Sequence, residues 1–242
     1  MSAELARRLV AHLDLTDLRP GLDDAAIERL VERGASSYGP VAGLCVHPSN
    51  VASLRAAIDR SALPSRLVAI AGFPDGSGDP DATLDELRQA GDDGADEIDL
   101  LYPYAAAMRG DHTGLELVAR AAAATGFLKV ILESSAWSDP ERLVATARDV
   151  LAAGASMLKT GSGAAHIAPV RCDDVELLAE VAAETATGGL KVSGGVDRAI
   201  AIHALATAQH RFGAEVTAAR FRIGASRLLD ELEGQATQGE GY

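Results

Sequence analysis

The chain has 242 residues, 48% of them hydrophobic and 24% charged, a length and balance that suit one large globular domain with a substantial core. A formal net charge of −13, with acids scattered along helical faces, argues against nucleic acid as a partner, because phosphate neutralisation needs clustered lysine and arginine. The two cysteines, Cys45 and Cys172, stand far apart without metal-ligand spacing, so neither a disulfide framework nor a zinc site is expected. The N-terminal stretch lacks a signal-type apolar core, and no run of about 18 apolar residues occurs. A cytoplasmic protein without a membrane partner is therefore expected.

In chain order, short apolar runs alternate with amphipathic segments. Ser2 to His12 reads as a helix and Leu13 to Thr16 as a short strand. Asp23 and Asp24 cap a helix that carries Ile27, Leu30 and Val31 on one face and stops near Gly34. Val41 to Val46 is the second strand, and Pro48 and Ser49 open a helix containing Val51, Leu54 and Ile58. Leu67 to Phe73 is almost free of polar residues, as a strand buried on both faces should be. A glycine- and proline-rich turn leads from it into a helix over Ala82 to Ala90. The remaining strands are expected at Glu97 to Tyr102, Phe127 to Leu132, Ser156 to Lys159, Leu190 to Ser193 and Phe221 to Ile223. Eight strands separated by helical crossovers predict an α/β fold, a single closed (β/α)8 barrel over residues 1–233 with an N-terminal helix. Residues 234–242 read as a flexible tail.

Charges inside apolar strands are the informative residues. Asp99 sits between Ile98 and Leu100, Lys129 between Leu128 and Val130, and Lys191 between Leu190 and Val192. Lys159 stands where its strand runs out into the turn Thr160, Gly161, Ser162, Gly163. A charge in such a strand costs several kcal/mol unless it is paired or solvated. Two readings follow: a buried Asp–Lys pair that holds the barrel together, or a catalytic cluster converging on the barrel mouth, where such enzymes assemble their sites. Taken singly, Lys159 also reads as a surface lysine at a strand end. An isolated lysine with a pKa of about 10.4 is almost wholly protonated at neutral pH. A neighbouring ammonium and partial desolvation lower that value. If Lys191 lies near Lys159, the pair implies a Schiff-base nucleophile, with Asp99 stabilising Lys191 and relaying protons through water. Imine and enamine chemistry of this kind calls for no metal and no cofactor.

The motifs L-D-L-T at Leu13, C-V-H-P at Cys45, G-F-P-D-G at Gly72, G-A-D-E-I-D-L-L at Gly94, L-K-V-I-L-E at Leu128, G-A-S-M-L-K-T-G-S-G at Gly154, L-K-V-S-G-G-V at Leu190 and F-R-I-G-A-S at Phe221 run in order along nearly the whole chain. In this series the chain closely resembles the 2-deoxyribose-5-phosphate aldolases, class I aldolases with a TIM-barrel fold. The resemblance implies reversible cleavage of 2-deoxy-D-ribose 5-phosphate to acetaldehyde and D-glyceraldehyde 3-phosphate. It implies Lys159 as the Schiff-base lysine, Lys191 as the residue that perturbs it and Asp99 as the proton-relay carboxylate. Asp14, Thr16, Cys45 and Lys129 fall on family positions that line or support the pocket, Cys45 also reading as a small packed side chain. Thr160, Ser162, Gly163, Gly194, Gly195, Gly224, Ser226 and Arg227 correspond to the family's phosphate-binding turns, whose backbone N–H groups make an anion cradle. Tyr242 corresponds to a terminal tyrosine that reaches the active site in some members, and a homodimer or larger homo-oligomer is implied.

The far end departs from the family pattern. Asp197 follows Gly194-Gly195-Val196 where the family usually has arginine, and Arg227 follows Ser226 where it usually has a second serine. Either Arg227 takes over the phosphate, or the same mechanism acts on a different or unphosphorylated aldehyde. A third reading is an idle barrel that serves as a binding protein.

Overall fold

The computed structural model describes residues 1–234; Tyr242 and the rest of the expected tail beyond Gly234 lie outside the described residues. Eight parallel strands close into a barrel: β1 Leu13–Asp17, β2 Gly43–Val46, β3 Arg66–Ala71, β4 Glu97–Leu101, β5 Leu128–Ile131, β6 Met157–Lys159, β7 Gly189–Ser193 and β8 Phe221–Ala225. Each strand pairs with the next in sequence, and β8 closes on β1 through Leu13 opposite Ile223 and Asp14 opposite Gly224. The expected eight-stranded barrel is therefore present, each expected strand lying within three residues of its observed bounds. β5 begins at Leu128 where Phe127 was expected, and β8 runs on two residues past Ile223.

The outer layer carries α1 (Ala3–Val10), α2 (Asp24–Gly34), α3 (Val51–Ser61), α4 (Pro80–Asp92), α5 (Tyr104–Ala107), α6 (Gly114–Ala124), α7 (Pro140–Ala152), α8 (Cys172–Ala183), α9 (Arg198–Phe212) and α10 (Leu228–Glu233). Many starts are chemically specified. Ser2, Asp23, Asp79, Asp139 and Asp197 each accept a backbone N–H from the first turn of the following helix, satisfying donors that a helix start leaves orphaned. α1 stops at Val10, short of the expected His12, because the His12 ring turns back to the Arg8 carbonyl, 2.7 Å away. A two-stranded antiparallel ladder, Ala35–Ser36 against Gly39–Pro40, follows α2 and was not expected.

Two apolar clusters hold these layers. The larger lies between barrel and helices, where alanines such as Ala57, Ala121, Ala147 and Ala201 let helices approach the strands closely. The smaller fills one side of the barrel interior with Cys45, Val68, Ile70, Leu101 and Ile131. At about 25 cal/mol per Å² of apolar area, such burial is the main force closing the barrel. The other side of the interior is charged, and that asymmetry positions the site. Among the described residues, no helix is long and apolar enough to cross a membrane.

Candidate active site

Alternation along the strands sends Asp14, Glu97, Asp99, Lys129, Lys159, Lys191 and Arg222 into the barrel, all of them buried. They form one connected cluster. Asp99 Oδ2 accepts from Lys159 Nζ at 2.7 Å and from Lys191 Nζ at 2.7 Å, while its Oδ1 accepts from Lys129 Nζ at 3.0 Å. Lys191 also donates to Asp14 Oδ2 at 2.6 Å, and Lys129 pairs with Glu97 at 2.6 Å. Arg222 bridges the lower carboxylates, to Asp14 Oδ1 and to Glu97 Oε1, the latter at 2.7 Å. Lys159 and Lys191 face each other in register on β6 and β7, a like-charge pairing that their shared carboxylate oxygen offsets.

The ionisation states follow from the opposition of burial and pairing. Burial alone would raise the Asp99 carboxyl, but Lys129, Lys159 and Lys191 outweigh it and hold Asp99 well below the usual carboxylate range. The same contest lowers Asp14, with Arg222 and Lys191 as the main opposing charges. For Lys191 burial opposes the charge, yet Asp14 and Asp99 prevail and keep the ammonium protonated far into the alkaline range. Burial pushes the Cys45 thiol up, which leaves it neutral against the apolar wall. Four cations and three carboxylates thus share the cluster, an excess of one positive charge if all are ionised.

Two glycines make room for these side chains. A Cβ on Gly43 would stand 2.6 Å from Asp14 Oδ1, and one on Gly224 would stand 2.9 Å from both Lys191 Cε and Ser193 Cβ. Gly224, expected to shape an anion cradle, therefore has a second duty beside Lys191.

Above the cluster opens a cavity of about 450 Å³ lined by Thr16, Lys159, Ser162, Gly163, Gly194, Gly195, Gly224, Ser226 and Arg227 among others. Of the three lysines in the cluster, Lys159 alone borders it. Asp14, Cys45 and Lys129, expected to line or support the pocket, lie beneath the cavity and do not line it, each being fully buried against cluster or wall. Thr160 borders a smaller cavity of about 170 Å³ instead, donating to the Ser193 carbonyl at 2.7 Å. The Ser162 N–H is also unavailable to a ligand, since it donates to Glu133 Oε1 at 2.9 Å.

The cavity's far end carries charges of both signs. Asp197 caps α9, accepting from the Ile200 N–H at 2.8 Å, and Glu231 on α10 accepts from the Arg198 N–H at 3.3 Å. Both carboxylates line the cavity beside Arg227, which forms no ion pair with either. Tyr242 lies outside the described residues.

Glu97, Arg222, Glu133, Ser193 and Glu231 were not anticipated. Arg222 was open to the rule that found the lysines, being a charge between Phe221 and Ile223. A stronger signal was lysine usage. The chain has three lysines in all against nineteen arginines, and the three are those of the cluster. Elsewhere the cations are guanidinium groups, which do not shed a proton near neutrality.

Fold and site together define a (β/α)8 barrel whose one cavity-facing lysine rests on a buried charge cluster. No family model matches the chain. Among solved structures, a protein from Toxoplasma gondii ME49 provisionally assigned as a deoxyribose-phosphate aldolase superposes with a TM-score of 0.84 at 23% identity, over 96% of this chain and 94% of that one. The deoxyribose phosphate aldolase from Aeropyrum pernix, described as tetrameric, superposes with a TM-score of 0.77 at 24% identity, over 95% and 91% of the two chains. An aldolase named QR15 gives 0.76 at 22% identity, over 93% and 95%. The chain shares the fold of these proteins over nearly its whole length.

Proposed function

We propose that this protein is a class I aldolase, a carbon–carbon lyase that works through a Schiff base on Lys159. The observation that carries the reading is that Lys159, alone among the three lysines, borders the cavity while sharing a carboxylate oxygen with a lysine held cationic. A neutral amine at Lys159 leaves three cations facing three carboxylates, an electroneutral buried cluster, and uncompensated buried charge is costly. The same count would hold with either other lysine neutral, and Lys159 is the nucleophile because it alone borders the cavity.

In the synthetic direction the Lys159 amine adds to the carbonyl carbon of acetaldehyde, and the carbinolamine loses water to give an iminium. Asp99 Oδ2 faces that positive charge as it faced the ammonium, so the iminium forms without reorganisation of the cluster. A methyl proton then leaves to a base, for which Asp99 acting through cavity water is the nearest ionised carboxylate. The resulting enamine attacks the acceptor aldehyde, and hydrolysis of the product iminium restores the amine.

Likeness of fold to deoxyribose-phosphate aldolases supports a 2-deoxy-D-ribose skeleton, cleaved to acetaldehyde and a glyceraldehyde-type aldehyde, either as the 5-phosphate or as the free sugar. The tetramer described for the Aeropyrum pernix enzyme supports a homo-oligomer here as well. Borohydride reduction in the presence of acetaldehyde tests the mechanism. The expected result is an ethyl group on Lys159 by peptide mass spectrometry. Absence of any lysine adduct would return the chain to the reading of an idle, binding barrel.

A further inference from the structure

We infer that the sugar handled by this site ends in a free hydroxyl group, not a phosphate ester, at the end remote from Lys159; the inference rests on the Schiff-base reading above. In a barrel of this kind an anion would be received by the helix start after β7 and by the neighbouring glycine turns, where backbone N–H groups and the helix dipole favour negative charge. Here the protein itself occupies that helix start, all but the Ala199 N–H. The Arg198 N–H donates to Glu231 and the Ile200 N–H to Asp197, and the Ala201 N–H donates to the Asp197 carbonyl at 2.9 Å. At that helix start an incoming phosphate would meet two carboxylates.

Charge leads to the same conclusion. Asp197, Glu231 and Arg227 line the far end together, two anions to one cation, and Arg227 is exposed to solvent. A phosphate monoester only accepts hydrogen bonds, so the carboxylates can give it nothing but repulsion. A hydroxyl group both donates and accepts. Its one proton can go to the second oxygen of Asp197 or of Glu231, and its two lone pairs can accept from among the N–H groups of Gly163, Gly194 and Gly195, none of which donates to a protein acceptor among the described residues. A mixed set of acceptors and donors is what a polyol chain needs.

The test is the ratio of kcat/KM for retro-aldol cleavage of 2-deoxyribose and of 2-deoxyribose 5-phosphate by the intact enzyme. A preference of at least about tenfold for the free sugar is expected, given that like-charge juxtaposition is strongly unfavourable. Equal efficiency, or preference for the ester, overturns the inference. Glu231→Gln keeps the shape and removes one charge, so it should shift the ratio toward the ester by about threefold or more; an unmoved ratio would remove Glu231 from the selection. Acetaldehyde trapping on Lys159 separates the two levels of failure. Trapping with a preference for the ester overturns the far end alone, whereas no trapping overturns the aldolase reading itself.

Discussion

The two ends of the mouth cavity are built from different material. At the Lys159 end every group rides on a barrel strand, is buried, and is held by several partners at once: Asp99 by three lysines, Lys191 by two carboxylates. At the far end Asp197, Ser226 and Arg227 lie between strand and helix, Glu231 lies on the short α10, and the side chains are exposed or half-buried. Strand register fixes the first set to within the tolerance that chemistry demands, while loops can trade one charge for another without disturbing the barrel. Reaction type and substrate choice are thus separable in this molecule, and substitutions should act on one without the other.

The largest expected effect is at Lys159. Lys159→Arg keeps a cation beside Asp99 but cannot form an imine, so turnover should fall by at least about four orders of magnitude. The chain has only two other lysines, both fully buried and off the cavity, so the reduced-adduct experiment has no competing lysine at the site. An adduct on Lys191 in the variant would break the assignment.

Lys191→Met comes next, because it removes the cation between Asp14 and Asp99 and leaves both carboxylates short of a partner. Breaking a buried pair in this way should cost about 3–5 kcal/mol of stability, read by urea denaturation, and about a hundredfold or more in turnover. A variant of unchanged stability would mean that Arg222, Lys129 and Lys159 suffice to hold the carboxylates.

The same network sets a pH window. Asp14 and Asp99 have folded values below the unfolded one, so their contribution is present above about pH 3.9 and is lost as pH falls toward the folded values. Lys191 is raised, so its contribution is present below about pH 10.4 and is lost as pH rises through the folded value. Thermal unfolding should therefore show a plateau from this cluster between about pH 4 and pH 10, with losses on both sides. In Asp99→Asn the acid-side loss should shrink; an identical acid limb in the variant would mean that Asp14 carries it.

How much of this was legible follows from the same division. Strand-borne charges announce themselves because a charge inside an apolar run is costly, and that rule found Asp99, Lys129 and Lys191 and would have found Arg222. It could not tell which charged residues face the cavity: Lys129 and Asp14, expected to line or support the pocket, lie beneath it, a matter of depth in the barrel that alternation leaves open. Glu231 was invisible, since an acid on a terminal amphipathic helix reads as a solvated face. Its meeting with the Arg198 N–H, 33 residues away in the chain, depends on how α9 and α10 close over β8. Arg227 and Asp197 form no salt bridge for a local reason, the Asp197 carboxylate being turned to its own helix as a cap.

Gly224→Ala tests the seam between the two ends. The added methyl group would press on Lys191 and on Ser193, both at 2.9 Å, one strand over. Overpacking of this kind should cost about 1–3 kcal/mol and displace Lys191, lowering turnover of both sugars together. Loss confined to the ester would show that Gly224 belongs to substrate selection instead.

The smallest expected effect sharpens the comparison most, because it changes charge without changing the fold. Asp197 both caps α9 and lines the far end, and asparagine caps a helix start about as well as aspartate does. Asp197→Asn should therefore leave the urea midpoint unchanged, whereas Asp197→Ala should lose about 1 kcal/mol through the missing cap. Both remove the same negative charge, so both should raise kcat/KM on 2-deoxyribose 5-phosphate relative to 2-deoxyribose, by about two- to fivefold for a partly screened carboxylate. The gain should fade as salt rises, since exposed charges are screened beyond about 10 Å at 0.1 M. If the ratio moves in Asp197→Ala and stays fixed in Asp197→Asn, the effect comes from loosening of α9, and the far end selects by shape and not by charge.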